Sequence, residues 1–219
     1  MLFDLRSRGR RRTVQAVYLG LAVLMGGGLI LFGVGTGSGI GGLLNAFTGN
    51  GSNTQSAQIS QAEKAAIKQT QKNPDNPAAW GALLTARYQN ASSVGFNSAT
   101  DTYTAAGRKE LSKATDAWQR YVALTKNPSN NLSIVAANAY ATLGDYANEA
   151  NAWEYATQAD PTSPKSFECL AISAYAAKQT RKGDLAAAKV TGMVPKSTRK
   201  TLLQQINGAK TNPALAQSC

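Results

Sequence analysis

Apolar and polar positions change rhythm along the chain. Residues 14–34 carry no charge and are mostly Val, Leu, Ala, Gly and Ile. Residues 35–59 are rich in Gly, Ser, Asn, Thr and Gln, with one apolar break from Ile40 to Phe47. From about residue 60 onward, apolar residues recur every three or four positions, the spacing of one helix face. Trp80, Leu83 and Leu84 form one such set; Ala114, Trp118 and Tyr121 form another; Phe167, Leu170 and Ala171 form a third. The pattern predicts helices over roughly Ser60–Lys72, Ser133–Leu143 and Ala147–Ala159. A final helix has a single stripe, Leu202, Leu203 and Ile206, and Ser197 is its expected N-cap.

The uncharged run is about 21 residues, or roughly 31 Å as a helix, enough to cross a bilayer. Arg6, Arg8, Arg10, Arg11 and Arg12 precede it, opposed only by Asp4, and no charge follows until Glu63. The positive-inside bias therefore predicts a cytoplasmic N-terminus (1–13), a transmembrane helix (14–34) and everything later outside. A cleaved signal peptide is the rival reading, although the run is long for one and no clear Ala-x-Ala follows it. Gly33-x-x-x-Gly37 has the small-residue spacing that packs membrane helices. Residues 35–59 read as a flexible tether.

Prolines divide the remaining helical domain, residues 60–209. Pro128 to Pro161 is 33 residues, Pro161 to Pro195 is 34, and Pro74 to Pro128 is 54, one period plus an insert over about 90–108. Asn73-Pro74, Asn127-Pro128 and Asp160-Pro161 share one context, and proline stops a helix. Between Pro128 and Pro161, Gly144-Asp145-Tyr146 separates two helical stretches with small residues at Ala137 and Ala156 and aromatics at Tyr140 and Trp153. A period near 34 with this turn and stop resembles the tetratricopeptide repeat (TPR). The departures are Glu149, where the family has an alanine, and Ser133, where it has a tryptophan.

The resemblance implies an all-α fold, a TPR-like helix-turn-helix solenoid preceded by one transmembrane helix and a tether. It also implies a concave groove lined by the first helix of each repeat. The groove positions would be Thr85, Tyr88 and Gln89, then Ile134, Asn138 and Thr142, then Lys165, Glu168 and Tyr175. Phe96 and Tyr103 lie in the insert, either as an aromatic loop contact or as pins holding the loop to the first repeat. Residues 210–219 read as a flexible tail. Cys169 reads as a small buried side chain; pairing with Cys219 is the alternative reading.

Charge and chemistry narrow the function. The net charge is +11, of which the N-terminal arginines less Asp4 supply +4. The other basic residues are scattered along helices, which argues for a solvated surface and against a nucleic-acid stripe. The chain has no histidine, which removes histidine-activated nucleophiles and the usual zinc ligands. Gly37-Ser38-Gly39-Ile40-Gly41-Gly42 matches a dinucleotide-binding spacing, but it follows a span and no βαβ unit. Asp116, Glu149, Glu154 and Asp160 are expected to pair with lysines or face water. No catalytic residue, cofactor or metal is expected. The layout is similar to bacterial membrane proteins that assist secretion or envelope assembly. It implies a non-enzymatic, membrane-anchored module on the extracytoplasmic side that binds protein or peptide partners. The alternative is a homo-oligomeric scaffold assembled through the glycine-bearing span.

Overall fold

Among the described residues, four helices begin where a side chain accepts from a free backbone N–H, at Asn76, Thr104, Asp145 and Ser163. The computed structural model describes residues 51–219, with side chains from residue 61. The predicted span (14–34), Arg6, Arg8, Arg10, Arg11, Arg12 and residues 35–50 of the tether lie outside the described residues. Among the described residues no helix is long and apolar enough to cross a membrane.

Helix α1 covers Gly51–Lys72, so the last part of the expected tether, residues 51–59, is helical. Asn76 accepts a hydrogen bond from Ala78 N at 3.0 Å and starts α2 (Pro77–Gly95), with proline in the first turn where no donor is lost. The predicted insert 90–108 is shorter in the fold. Helix α2 continues to Gly95, and α3 (Ala105–Leu124) starts well before Lys109, capped by Thr104. Between them is a two-residue antiparallel ribbon, β1 (Phe96–Asn97) and β2 (Thr102–Tyr103), pairing Phe96 with Tyr103. Alanine and serine continue α2 without a break because Ala91 and Gly95 are buried against neighbouring elements.

Helices α4 (Asn130–Leu143) and α5 (Tyr146–Ala159) form a tight pair. Gly144 ends α4 at φ 79°, and its N–H and that of Asp145 return to Ala141 O and Tyr140 O, both at 3.0 Å. Asp145 then caps α5, its carboxylate accepting from Asn148 N at 3.2 Å. No atom lies within 4 Å of an added Cβ at Gly144, so only backbone strain resists substitution there. Gly144→Ala should therefore lower stability by about 1 kcal/mol, as judged by the midpoint of urea unfolding.

Helices α6 (Pro164–Ala176) and α7 (Thr180–Met193) make the next pair, followed by α8 (Arg199–Gly208) and a 3₁₀ turn, Pro213–Ser218. The cap of α8 is Thr198 rather than Ser197, and its hydroxyl bonds back to Pro195 O at 2.9 Å. The class is all-α, with each helix of the pairs α2/α3, α4/α5 and α6/α7 packed chiefly on its sequence neighbours.

The core between the pairs is built from small residues. Ala114, Ala117, Ala136, Ala137, Ala150, Ala156, Ala171 and Ala174 are fully buried, and their size lets the helix backbones come close. Trp118, Tyr121, Tyr140, Trp153 and Leu170 fill the wider gaps. The phenol of Tyr121 accepts from Ser129 N at 2.9 Å, which ties the linker after α3 to that helix.

Candidate functional site

The first helices of the three pairs, α2, α4 and α6, carry the residues that the sequence assigns to a groove. Tyr88 on α2 packs on the small cluster of Ala91, Leu111 and Ala139, and Asn138 precedes Ala139 on α4. Burial pushes the Tyr88 phenol above its ordinary range. Gln89 is exposed beside them. Thr85 and Thr142 are half-buried and turn their hydroxyls back to Gly81 O (3.1 Å) and Asn138 O (2.9 Å) of their own helices. Ile134 is half-buried against the core. Arg108, reaching from α3, donates to the carbonyls of Thr142 (3.0 Å) and Leu143 (3.1 Å) and places positive charge at the C-terminal end of α4.

Toward α6 the arrangement differs from the expectation, because the C-terminal segment folds back onto this face. The tail expected to be flexible packs instead. Ala209 and Ala216 are fully buried with Ile206, and Leu215 and Cys219 pack on the same core. The turn Pro213–Ser218 lies against α6 and α4. Gln217 donates to the Tyr146 hydroxyl at 3.3 Å, and Gln205 donates to Glu168 Oε1 at 3.1 Å. Lys210 sits 4.2 Å above the Tyr175 ring, a cation–π contact. Tyr175 is buried, donates to Asp184 Oδ1 at 2.6 Å, and has its phenol pushed up to about 12 by burial and by that carboxylate. Lys165 stays exposed, with its ammonium 3.6 Å from Glu168. The tail's anchors are Leu215 and Ala216, too few for a periodic signal in the sequence.

Cys219, at the end of this tail, packs on the core that contains Cys169. Both are free thiols, Cys169 buried and Cys219 half-buried. A hydrogen bond to Cys169 and burial both push the Cys219 thiol up. Close by, Glu149 on α5 is fully buried, although the sequence placed it in water or beside a lysine. Its Oε1 accepts from Trp153 Nε1 at 3.3 Å, and its Oε2 has no protein partner. Burial first, and the electrostatic influence of the nearby Cys219 second, raise this carboxyl to about 9. Glu149 is therefore a neutral acid at pH 7. The other acids behave as expected: Glu154 pairs with Lys182 at 2.7 Å, and Asp160 accepts from Thr162.

The helix pairs also hold a surface that sequence reasoning missed. A cleft of about 790 Å³ lies between α5, α6 and α7, with Phe167, Leu170 and the exposed Leu185 on its walls. A second hollow of about 330 Å³ lies between α3, α4 and α5, lined by Trp118, Tyr140 and Tyr155. Glu154 and Gln158 line both. Such a cleft follows from how neighbouring helix pairs splay, which no local motif encodes.

In the ribbon, Phe96 and Tyr103 stack edge to face at 5.1 Å. Tyr103 also hydrogen-bonds Ser92 at 2.8 Å and pins the ribbon to α2, while Phe96 is 42% exposed. Among the described residues no group of three or more His, Cys, Asp or Glu is placed to hold a metal ion. Comparison with protein-family models finds no match to the chain, and neither does comparison with curated proteins.

Proposed function

We propose that the chain is a TPR-like helix-hairpin repeat protein whose first-helix face holds short polypeptide segments. One observation carries this reading: the face already holds a peptide, the chain's own residues 213–219. That segment is seated by the burial of Ala216, by the hydrogen bond from Gln217 to the Tyr146 hydroxyl and by packing on α6 and α4. A surface that orders one apolar-anchored peptide has the shape and chemistry to order another. The uncovered part, around Tyr88, Gln89 and Asn138, offers an aromatic ring and amides in the same line. On this reading an N-terminal span at residues 14–34 anchors the module, with its arginines cytoplasmic and the helical domain outside. It then handles polypeptides at the outer face of the membrane, as secretion-assisting proteins of similar layout do.

The tail competes with any partner, so it lowers apparent affinity by the fraction of time it is seated. Deleting Pro213–Cys219 from the full-length protein should increase polypeptide capture several-fold. A photo-crosslinking residue at Gln89, in native membranes, followed by mass spectrometry of the adducts, reads this directly. Adducts confined to lipid and to the protein itself, with or without the tail, would overturn the proposal. Circular dichroism of the shortened protein establishes that it remains helical.

A further inference from the structure

The strongest feature outside that reading is the thiol pair. The chain has only two cysteines, 50 positions apart, and the fold places both in one core, with the C-terminal turn packed on the helix that carries Cys169. Cys169 is fully buried on α6. Cys219 arrives at the end of a 3₁₀ turn, its N–H bonded to Ala216 O at 3.3 Å and its side chain packed on the core that contains Cys169. The turn is anchored independently of the sulfurs by Ala216 and by Gln217 on Tyr146. The pair is therefore positioned by the packing of the tail.

We infer that Cys169 and Cys219 form a redox-modification site, at which thiol–disulfide exchange with a small or protein disulfide staples the C-terminal segment onto α4 and α6. The half-buried Cys219 is the entry point. Its thiolate attacks one sulfur of the incoming disulfide, forming a mixed disulfide and releasing one thiol. The Cys169 thiolate then attacks Cys219 Sγ, forming the Cys169–Cys219 bond and releasing the second thiol. The two cysteines lose two protons and two electrons, and the incoming disulfide gains them.

The surroundings set the rate. The hydrogen bond and burial that raise the Cys219 thiol keep its thiolate fraction low, while the Lys165 ammonium beside it acts in the opposite direction. Exchange should thus be slow while the tail is seated and faster when it lifts. Closure then fixes in place the segment that covers the peptide-holding face, so its consequence for binding rests on the function proposed above. The staple itself does not depend on that reading. An extracytoplasmic domain would meet the oxidising conditions in which such bonds persist.

The test uses the full-length protein, treated with excess oxidised glutathione at pH 8, alkylated, and mapped by mass spectrometry without reduction. The expected product is a Cys169 peptide joined to the Cys219 peptide, lighter by two hydrogens than the two thiols. Its melting temperature should exceed that of the reduced protein by on the order of 10 °C, since the bond closes a long loop. Neither result should appear in Cys219→Ser or in Cys169→Ser. Glutathione retained on Cys219, or two alkylatable thiols after treatment, would overturn the inference. Crosslinking from Gln89 separates the two proposals. A staple that forms without reducing polypeptide capture removes the peptide-face reading and leaves the redox site. Capture without a staple does the reverse.

Discussion

Glu149→Gln is expected to stabilise the protein, and to do so far more at pH 8 than at pH 5. The Glu149 carboxyl is fully buried and its folded-state pKa is raised from 4.5 to about 9. Below pH 4.5 the folded and unfolded chains both carry the proton, so folding is at its most favourable with respect to this group. Above that pH the unfolded chain releases a proton that the folded chain retains. Stability then falls by roughly 1.4 kcal/mol per pH unit until the folded carboxyl itself ionises near pH 9. By pH 7.5 the accumulated loss is roughly 4 kcal/mol. Glutamine matches the neutral acid in shape, keeps an oxygen for Trp153 Nε1, and does not titrate. Its amide, like the acid's second oxygen, finds no protein partner, so that cost is common to both chains. Urea unfolding at pH 5, 6, 7 and 8 measures the difference. Parallel pH slopes for the two proteins would show that Glu149 is already ionised in the folded state. Cys219 faces the same carboxyl, which is why the series stops at pH 8, below the range in which the raised thiol ionises.

Glu149 also marks where sequence reading fails. Helix α5 itself was legible, since Gly144, Asp145 and Pro161 act on the backbone next to them. Ala150, Trp153 and Ala156 gave its buried face. A glutamate just before Ala150 reads as a solvated position, because the tail residue near it, Cys219, lies 70 positions away in the chain. The tail was misread for a related reason: one buried alanine and a half-buried leucine hold it, and periodicity needs more anchors than two. The groove assignment placed Tyr88 and Asn138 on first helices that pack on each other, α2 and α4. It was wrong for Tyr175, whose hydroxyl turns to Asp184 in the same helix pair. The connection between α2 and α3 was misplaced by several residues because Ala91, Ser92, Ser93 and Gly95 are small and the larger residue among them, Val94, is exposed. Their helix is held by contact between backbones.

That contact gives the second large effect: Gly95→Ala should cost about 3 kcal/mol, in a helix where alanine is normally the better residue. Gly95 and Gly107 face each other where α2 ends and α3 begins, both buried. A Cβ on Gly95 would lie against Gly107 N, 2.5 Å from Gly107 Cα and 2.7 Å from the Thr104 hydroxyl oxygen. None of these atoms is the far end of a flexible side chain. Thr104 is fixed from both sides, since its N–H donates to Gly95 O at 2.7 Å and its hydroxyl caps α3. Relief therefore requires the two helices to separate, which would also loosen the Leu111 and Ala91 packing beneath them. Gly192 on α7 supplies the comparison, because nothing lies within 4 Å of an added Cβ there. Gly192→Ala should gain up to about 1 kcal/mol from helix propensity alone. Both variants are measured by urea midpoint at one pH. Opposite signs of the expected sizes establish that backbone contact fixes the α2/α3 crossing, and with it the position of Tyr88 and Gln89 on α2. A Gly95→Ala protein as stable as Gly192→Ala would mean that the helices separate at no cost, and that the crossing is set by the ribbon and Tyr103 instead.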